Sequence, residues 1–157
     1  MDLPTFQTQK HLLPSFQRTR RQLTIFNTRA KLYNKLGVTY ARYGKYKDAL
    51  KNLEKAISLD RAYFSAYNNL GNVYYLTGKY EEALGYYKKA LDYSDNALIL
   101  INVAKALYKL GNYENAKTYY LSAVKKKSSF KNKYAYLEMG TKQTEIRASD
   151  RARIDTM

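Results

Sequence analysis

The feature that constrains this chain most is a helical sequence pattern that occurs three times, at spacings of 34 and 33 residues. The three segments begin at Tyr33, Tyr67 and Leu100. In each segment apolar residues recur every three or four positions, which is the spacing of one face of an α-helix. A single helix pair cannot bury such a face alone, whereas stacked pairs share a continuous core. The chain is therefore predicted to be an all-α array of repeats.

The second unit shows how each helix pair is encoded. Its two apolar helix faces consist of Tyr67, Leu70, Gly71 and Tyr74 in the first helix and of Ala83, Tyr87, Ala90 and Leu91 in the second. Gly78 stands between the two helices, and glycine is the usual residue where a helix has to stop and turn. Small residues such as Gly71 and Ala83 allow the paired helices to approach each other closely.

Seven positions recur at matching distances from the start of all three units. They are Tyr33, Leu36, Gly37, Tyr40, Ala49, Leu53 and Ala56; Tyr67, Leu70, Gly71, Tyr74, Ala83, Tyr87 and Ala90; and Leu100, Val103, Ala104, Leu107, Ala116, Tyr120 and Ala123. This pattern resembles the tetratricopeptide repeat, in which W-x2-L-G-x2-Y precedes an alanine and an aromatic residue. Tyrosine or leucine replaces the tryptophan of that family, Ala104 replaces its glycine, and its closing proline is absent near Arg61 and Asp95.

The resemblance covers about residues 30–130 and implies a right-handed superhelix, or α-solenoid, of three helix-turn-helix units. The units are assigned to residues 30–63, 64–96 and 97–130, each with an A helix followed by a B helix. The predicted helices span residues 29–43, 46–59, 64–77, 80–93, 97–110 and 113–126.

Residues 1–29 form a basic N-terminal extension that is predicted to be partly helical. Ser15 is predicted to cap a helix that runs through Phe16, Leu23, Phe26 and Ala30, and this apolar stripe is expected to pack on the first repeat. Two other interpretations stay open. The segment is rich in arginine and poor in acids like a mitochondrial presequence, although Asp2 and the prolines fit that poorly, or it is a basic helix that binds a partner or a membrane surface.

Residues 131–157 are predicted to be a capping helix and a basic tail. In the helix, placed at residues 131–147, Tyr136, Met139 and Gly140 echo Tyr33, Leu36 and Gly37. Terminal repeats are often atypical because they close the stack with a polar outer face.

The chain offers few groups for catalysis or metal binding. It has no cysteine, and its one histidine, His11, lies in the N-terminal extension. The sequence contains neither a cluster with metal-ligand spacing nor a glycine-rich phosphate loop. Glu81 and Glu82, which are adjacent, complement the dipole at the start of a B helix. We therefore expect no enzymatic activity, no cofactor and no metal.

Localisation is predicted from the lack of recognised signals. No apolar run approaches the roughly 20 residues of a membrane-spanning helix. The N-terminus lacks the apolar stretch of a secretory signal peptide. The expected location is cytoplasmic.

The family resemblance implies a concave groove, lined by the A helices, that holds an extended peptide or a partner helix. The candidate groove residues are Lys31, Asn34, Lys35 and Arg42 in the first A helix, Asn68, Asn69, Asn72 and Tyr75 in the second, and Asn102, Lys105, Tyr108 and Lys109 in the third. Asn69 and Asn102 resemble the asparagine ladder with which some members hold peptides. Asn69 and Lys105 match the pattern of members that grip a terminal carboxylate, whereas Asn34, Val38 and Ile101 depart from it.

Charge indicates the chemistry of the partner. The net charge is +15, and residues 30–43, 64–77 and 97–110 contain no Asp or Glu. A concave wall of one sign favours an anionic ligand, so the predicted function is a protein-interaction adaptor that binds an acidic peptide or partner segment. Two alternatives are a self-assembling scaffold, that is a homo-oligomer, and a protein that binds an anionic membrane or nucleic acid through its basic ends, nucleic acid being the less expected partner.

Overall fold

Helices account for most of the part of the chain that the structure describes. The computed structural model describes the backbone of residues 6–138 and the side chains of residues 17–138. Its helices are α1 (Phe6–Arg42), α2 (Tyr46–Leu59), α3 (Phe64–Leu76), α4 (Tyr80–Leu91), α5 (Ala97–Lys109), α6 (Tyr113–Lys126) and the short α7 (Phe130–Lys133). No strand lies within residues 6–138. The all-α repeat fold is confirmed.

Three helix pairs, α1 with α2, α3 with α4 and α5 with α6, stack along the chain. Each B helix also packs on the A helix that follows it, α2 on α3 and α4 on α5. Of the three A helices, α3 lies between α1 and α5 and contacts both on the inner side of the array. This arrangement places the groove wall on α1, α3 and α5 and leaves α2, α4 and α6 on the outer side.

The turn inside each pair is set by one glycine. Gly44, Gly78 and Gly111 have φ angles of 72°, 79° and 77°, a left-handed conformation that other residues rarely adopt. The residue after each glycine donates its backbone N–H to a carbonyl five residues earlier, as Lys79 does to Tyr74 at 2.9 Å. Because this bond closes the end of the A helix, the A and B helices are joined by a tight turn of the same form in all three units.

Small residues bring the two helices of each pair into close contact. Ala49, Ala83 and Ala116 are fully buried at the same position of the three B helices. A Cβ atom built on Gly37 would lie 2.6 Å from Cγ of Leu53, and one built on Gly71 would lie 2.4 Å from Cε1 of Tyr87. The large side chain of the B helix therefore occupies the space that the glycine of the A helix leaves.

The N-terminal extension differs from its prediction. α1 runs unbroken from Phe6 to Arg42, so Ser15 lies inside the helix and does not cap a separate one. Among the described side chains, residues 17–29 are exposed and Ala30 is the first that is buried, so the expected packing of Leu23 and Phe26 on the first repeat is wrong. The reason is length, since α1 has 37 residues and its partner α2 has 14. No helix within residues 6–138 is both long and apolar enough to cross a membrane.

The C-terminal end of the array is covered, although not by one continuous helix from residue 131. α7 ends at Lys133, a turn follows, and helix resumes at residues 136–138. The Tyr120 hydroxyl donates to the Lys131 carbonyl at 2.9 Å, so this oxygen is bonded by a side chain of α6. Phe130 and Leu137 are buried beside Tyr120. Met139, Gly140 and the basic tail lie outside the described residues.

Candidate functional site

The inner face of the array contains two clefts. The first, of about 180 Å³, lies between α1 and α3 and is lined by Val38, Ala41, Arg42, Leu53, Asn69, Asn72, Val73 and Leu76. The second, of about 430 Å³, lies toward the opposite end of these helices and is lined by Asn34, Tyr63, Phe64, Ser65, Asn68, Asn69, Asn96, Leu98 and Ile99. Both clefts include residues that the sequence placed in the groove, and Asn69 lines both.

The five predicted groove asparagines form one hydrogen-bonded network across α1, α3 and α5. Nδ2 of Asn69 donates to Oδ1 of Asn34 at 2.8 Å, and Nδ2 of Asn102 donates to Oδ1 of Asn68 at 2.9 Å. Longer bonds of 3.3 Å run from Asn72 to Asn69 and from Asn102 to Asn72. The network therefore links the three A helices side by side.

Two of these bonds repeat from unit to unit. Asn69 and Asn102 each stand two residues after the start of their unit, and their acceptors Asn34 and Asn68 each stand one residue after the start of the preceding unit. Asn34, Asn68 and Asn102 are only 8%, 8% and 6% exposed. Their side chains thus hydrogen-bond neighbouring A helices, and a peptide would have to exchange those bonds to use them. A ladder role for Asn69 and Asn102 stays a prediction.

We expect Asn102→Ala to lower the free energy of unfolding by about 1 to 2 kcal/mol, because it leaves the Asn68 and Asn72 oxygens without this donor near the core. Urea denaturation followed by far-UV circular dichroism measures the change. Asn52→Ala is the matched control, since Nδ2 of Asn52 bonds only a backbone carbonyl, that of Asp48, in an exposed position. Equal effects of the two substitutions would show that the network contributes nothing beyond an ordinary surface bond.

Two tyrosine hydroxyls extend the network, and the sequence patterns did not assign them to it. Tyr87 donates from α4 to Oδ1 of Asn72 at 2.9 Å, and the Tyr63 oxygen accepts from Nδ2 of Asn34 at 3.4 Å. Burial raises the pKa of Tyr87 well above its ordinary value, with Tyr75 as a second cause, so its hydroxyl stays protonated and able to donate. Tyr87 had been recognised only as a core residue of the repeat.

Lys105 is the cation most enclosed by the groove. Its Nζ lies 4.9 Å from the centroid of the Tyr75 ring, and this ring meets Tyr80 edge to face at 5.2 Å. Burial lowers the pKa of Lys105, and repulsion from Lys133 lowers it further. Both causes disfavour the charged form, whereas an anion placed beside Lys105 would favour it and so oppose them.

Aromatic rings continue the groove wall beyond Lys105. Tyr108 meets Tyr113 at 5.1 Å and Tyr136 at 5.4 Å, both edge to face. Burial raises the pKa of Tyr136, and Tyr134 and Tyr108 are further causes. Sequence reasoning placed Tyr75 and Tyr108 in the groove but not Tyr136 or Lys133. The signal for Tyr136 was its echo of the unit start at Tyr33, which places it on the next helix of the array.

The other predicted groove cations are more exposed than Lys105. Lys31, Lys35, Arg42 and Lys109 are all exposed. Arg42 also lines the first cleft, next to Asn69 and Asn72. The structure thus brings Asn34, Asn68, Asn69, Asn72 and Asn102 together in one network and Lys105 together with Tyr75, while Lys31, Lys35 and Lys109 extend into solvent.

Three stacked helix pairs with a polar, cationic inner wall define a helical-repeat protein of the α-solenoid class. Family models described as tetratricopeptide repeat match residues 28–96 and 97–126. The chain belongs to the tetratricopeptide-repeat family. Among curated proteins no sequence matches the chain.

Solved structures include several similar arrays. YrrB, described as a TPR protein with an unusual peptide-binding site, is 29% identical with a TM-score of 0.56, over 59% of this chain and 48% of that chain. MamA is 28% identical with a TM-score of 0.60, over 69% of this chain and 59% of that chain. The present chain thus spans about half to three fifths of the length of these two proteins.

One further relative has lower identity but is matched over nearly its whole length. The first TPR of Spaghetti (RPAP3), solved with the HSP90 peptide SRMEEVD, is 18% identical with a TM-score of 0.68, over 73% of this chain and 94% of that chain. At this identity the likeness bears on the fold alone.

Proposed function

We propose that the chain is a protein-interaction adaptor whose inner groove binds an acidic peptide segment of a partner. The observation that carries this proposal is the charge of the groove wall. α1, α3 and α5 contain no Asp or Glu, and Lys105 is partly buried beside the ring of Tyr75 on that wall.

Among residues 17–138 the acidic residues lie on the B helices, in the loops or, for Glu138, after α7, and none lies on α1, α3 or α5. Asp48, Glu81, Glu82 and Glu114 lie in the first turns of the B helices, where they complement the helix dipole. Because all charged residues of the groove wall are positive, the wall focuses its electric field into the groove. An acidic segment is therefore attracted to the inner face, whereas a basic segment is repelled from it.

Lys105 supplies the most specific contact in this proposal. A charged group that is removed from water costs free energy unless it is paired, and the pKa of Lys105 is lowered by burial and by Lys133. A carboxylate of the ligand would pair with Lys105 and offset the repulsion from Lys133. The rings of Tyr75 and Tyr108 would pack against the aliphatic part of the same ligand residue.

One similar protein supports a peptide as the ligand. YrrB is described by its peptide-binding site. The charge sorting of the present chain adds that such a peptide would be acidic. A cytoplasmic place of action and a non-enzymatic role stay predictions alongside the proposal.

The test is binding of a labelled library of extended peptides rich in Asp and Glu, measured by fluorescence anisotropy. The combined substitution of Lys35, Lys105 and Lys109 by Glu is expected to weaken binding at least tenfold, because it reverses the charge of the wall. The matched control reverses Lys51, Lys88 and Lys125, which are exposed on α2, α4 and α6. This control changes the net charge equally and is expected to weaken binding less than threefold.

Both charge-reversed proteins must first show the far-UV circular dichroism of the original. If both variants lose peptide binding equally, the loss is due to the change in net charge, and the groove proposal is overturned. Undiminished binding by the groove variant would move the site to the basic ends or to the outer face.

A further inference from the structure

The first A helix exposes residues that are buried in the other two. Leu32 and Leu36 are 56% and 38% exposed. The residues at the position of Leu36 in the second and third units, Leu70 and Val103, are 1% and 0% exposed. The same apolar pattern therefore has a covered face in α3 and α5 and an uncovered face in α1.

In units two and three the preceding B helix packs on this face of the A helix. Leu70 packs with Leu53 and Leu50 of α2. Val103 packs with Leu84 and Leu91 of α4. Among the described residues no helix precedes α1, so the equivalent face of the first unit faces solvent.

This face forms a continuous stripe along α1. Ile25, Leu32, Leu36 and Tyr43 are spaced by seven, four and seven residues, so they lie on one line of the helix about 27 Å long. Their exposed fractions are 51%, 56%, 38% and 78%. A stripe of this length matches a helix of about 18 residues, longer than any of the B helices in the array.

The stripe is bordered by positive charge. Arg18, Arg21 and Arg29 lie within about 40° of the stripe on a helix of 3.6 residues per turn. Residues 17–47 contain nine Lys or Arg and no Asp or Glu. A docked helix would therefore need an apolar centre with acidic residues along its edges.

We propose that this face, formed by Ile25, Leu32 and Leu36 of α1 and by Tyr43 directly after it, is a docking site for an acidic amphipathic helix of a partner protein. The partner helix lies where the B helix of a preceding repeat would lie. This site is separate from the inner groove, so the partner chain can engage the array at a second point.

A second copy of this chain fits the face less well. Head-to-tail stacking would require the C-terminal face of α5 and α6, but Phe130 and Leu137 already pack there and are 8% and 0% exposed. Pairing of two α1 helices would bring arginines together without an acid among residues 17–47, and like charges at close range oppose association. Charge complementarity thus favours a different, acidic chain.

The experiment uses the full chain and a designed probe. The probe is an 18-residue amphipathic peptide with leucines at the spacing of a B helix and glutamates on the remaining face, and methyl NMR spectra of the protein report where it binds. We expect shifts at Ile25, Leu32 and Leu36. Leu32→Glu combined with Leu36→Glu is expected to weaken binding at least tenfold and, because both side chains are exposed, to leave the far-UV circular dichroism unchanged.

Two control peptides and one control variant sharpen the result. A scrambled peptide and a peptide with lysines in place of the glutamates should each bind at least tenfold more weakly than the probe. Reversal of Lys105 and Lys109, which lie on α5, should leave probe shifts at Ile25 and Leu32, which separates this proposal from that for the groove.

Three outcomes would overturn the docking proposal. The first is absence of shifts at the stripe, or equal shifts with the scrambled peptide. The second is a dimer in light scattering without peptide that the two glutamate substitutions abolish, which assigns the face to a second copy. The third is stripe-dependent binding to vesicles with 30% phosphatidylserine in place of the peptide, which assigns it to a membrane surface.

Discussion

Replacement of Tyr87 by alanine is expected to lower the free energy of unfolding by about 3 to 5 kcal/mol, the range for removal of a large buried aromatic side chain. The Tyr87 side chain is 1% exposed and lies against Gly71. Its hydroxyl donates to Asn72, which is part of the asparagine network. The substitution therefore opens a cavity between α3 and α4 and also removes one bond from the inner wall.

Urea denaturation followed by far-UV circular dichroism measures this effect. One further substitution separates the contribution of the hydroxyl from that of the ring, and another serves as an exposed control. Tyr87→Phe keeps the ring and removes only the hydroxyl, so it is expected to cost about 1 kcal/mol. Tyr43→Ala, at a site that is 78% exposed, is expected to change stability by less than about 0.5 kcal/mol. A loss below about 1.5 kcal/mol for Tyr87→Ala would contradict the packing described here.

The second large effect is expected for Gly71→Ala, which should lower the free energy of unfolding by about 2 to 3 kcal/mol. The new Cβ atom would lie 2.4 Å from Cε1 and 2.5 Å from Cδ1 of Tyr87. This ring is buried and its hydroxyl is bonded to Asn72, so it cannot move aside freely. Overpacking of this kind costs about 1 to 3 kcal/mol and outweighs the gain in helix propensity.

Gly85→Ala is the matched control for Gly71→Ala. Gly85 is an exposed residue inside α4, and a Cβ atom there would meet nothing within 4 Å. The same substitution is therefore expected to stabilise the protein by about 0.5 to 1 kcal/mol, because alanine loses less backbone entropy in a helix. Both are measured by urea denaturation, and shifts of the same sign would refute the proposed contact.

A double substitution tests the contact itself. In the Tyr87→Ala background the ring is absent, so Gly71→Ala should then cost less than about 0.5 kcal/mol. The difference between the two backgrounds is the coupling energy of the pair. Additive effects would show that Gly71 and Tyr87 do not interact as the structure indicates.

The local parts of the fold were predictable from the sequence. Residues 46–59 were predicted as a helix and form α2 (Tyr46–Leu59). Helix α3 (Phe64–Leu76) ends one residue before its predicted end at residue 77. Such boundaries follow from nearby signals, since the turn glycines and the apolar spacing act within one or two helical turns.

The ends were less predictable because no neighbouring repeat constrains them. The apolar stripe through Leu23 and Phe26 predicted packing on the first repeat, yet these side chains are 57% and 44% exposed. Residue spacing shows that a helix has an apolar face, but not whether another helix is present to cover it. At the other end, the Lys131 carbonyl of α7 accepts a hydrogen bond from Tyr120, which is 11 residues away in the sequence, and local sequence signals do not show this contact.

The candidate site was also only partly predictable from the sequence. The sequence placed the asparagines and Lys105 on the A helices because helical periodicity assigns each residue to a face. It did not show that Asn102 bonds Asn68, 34 residues away, or that Lys105 lies over Tyr75, because those contacts depend on how α3 and α5 are positioned side by side.

The sequence by itself therefore determined the helix pairs, their turns and the sorting of acidic residues away from the inner wall. Only the tertiary structure decided which polar groups bond each other and which apolar positions remain exposed. Leu36 and Leu70 occupy the same repeat position, yet their side chains are 38% and 1% exposed. The physical reason is that the exposure of a side chain depends on which neighbouring elements pack against it. Helix α2 covers Leu70, whereas no described helix covers Leu36.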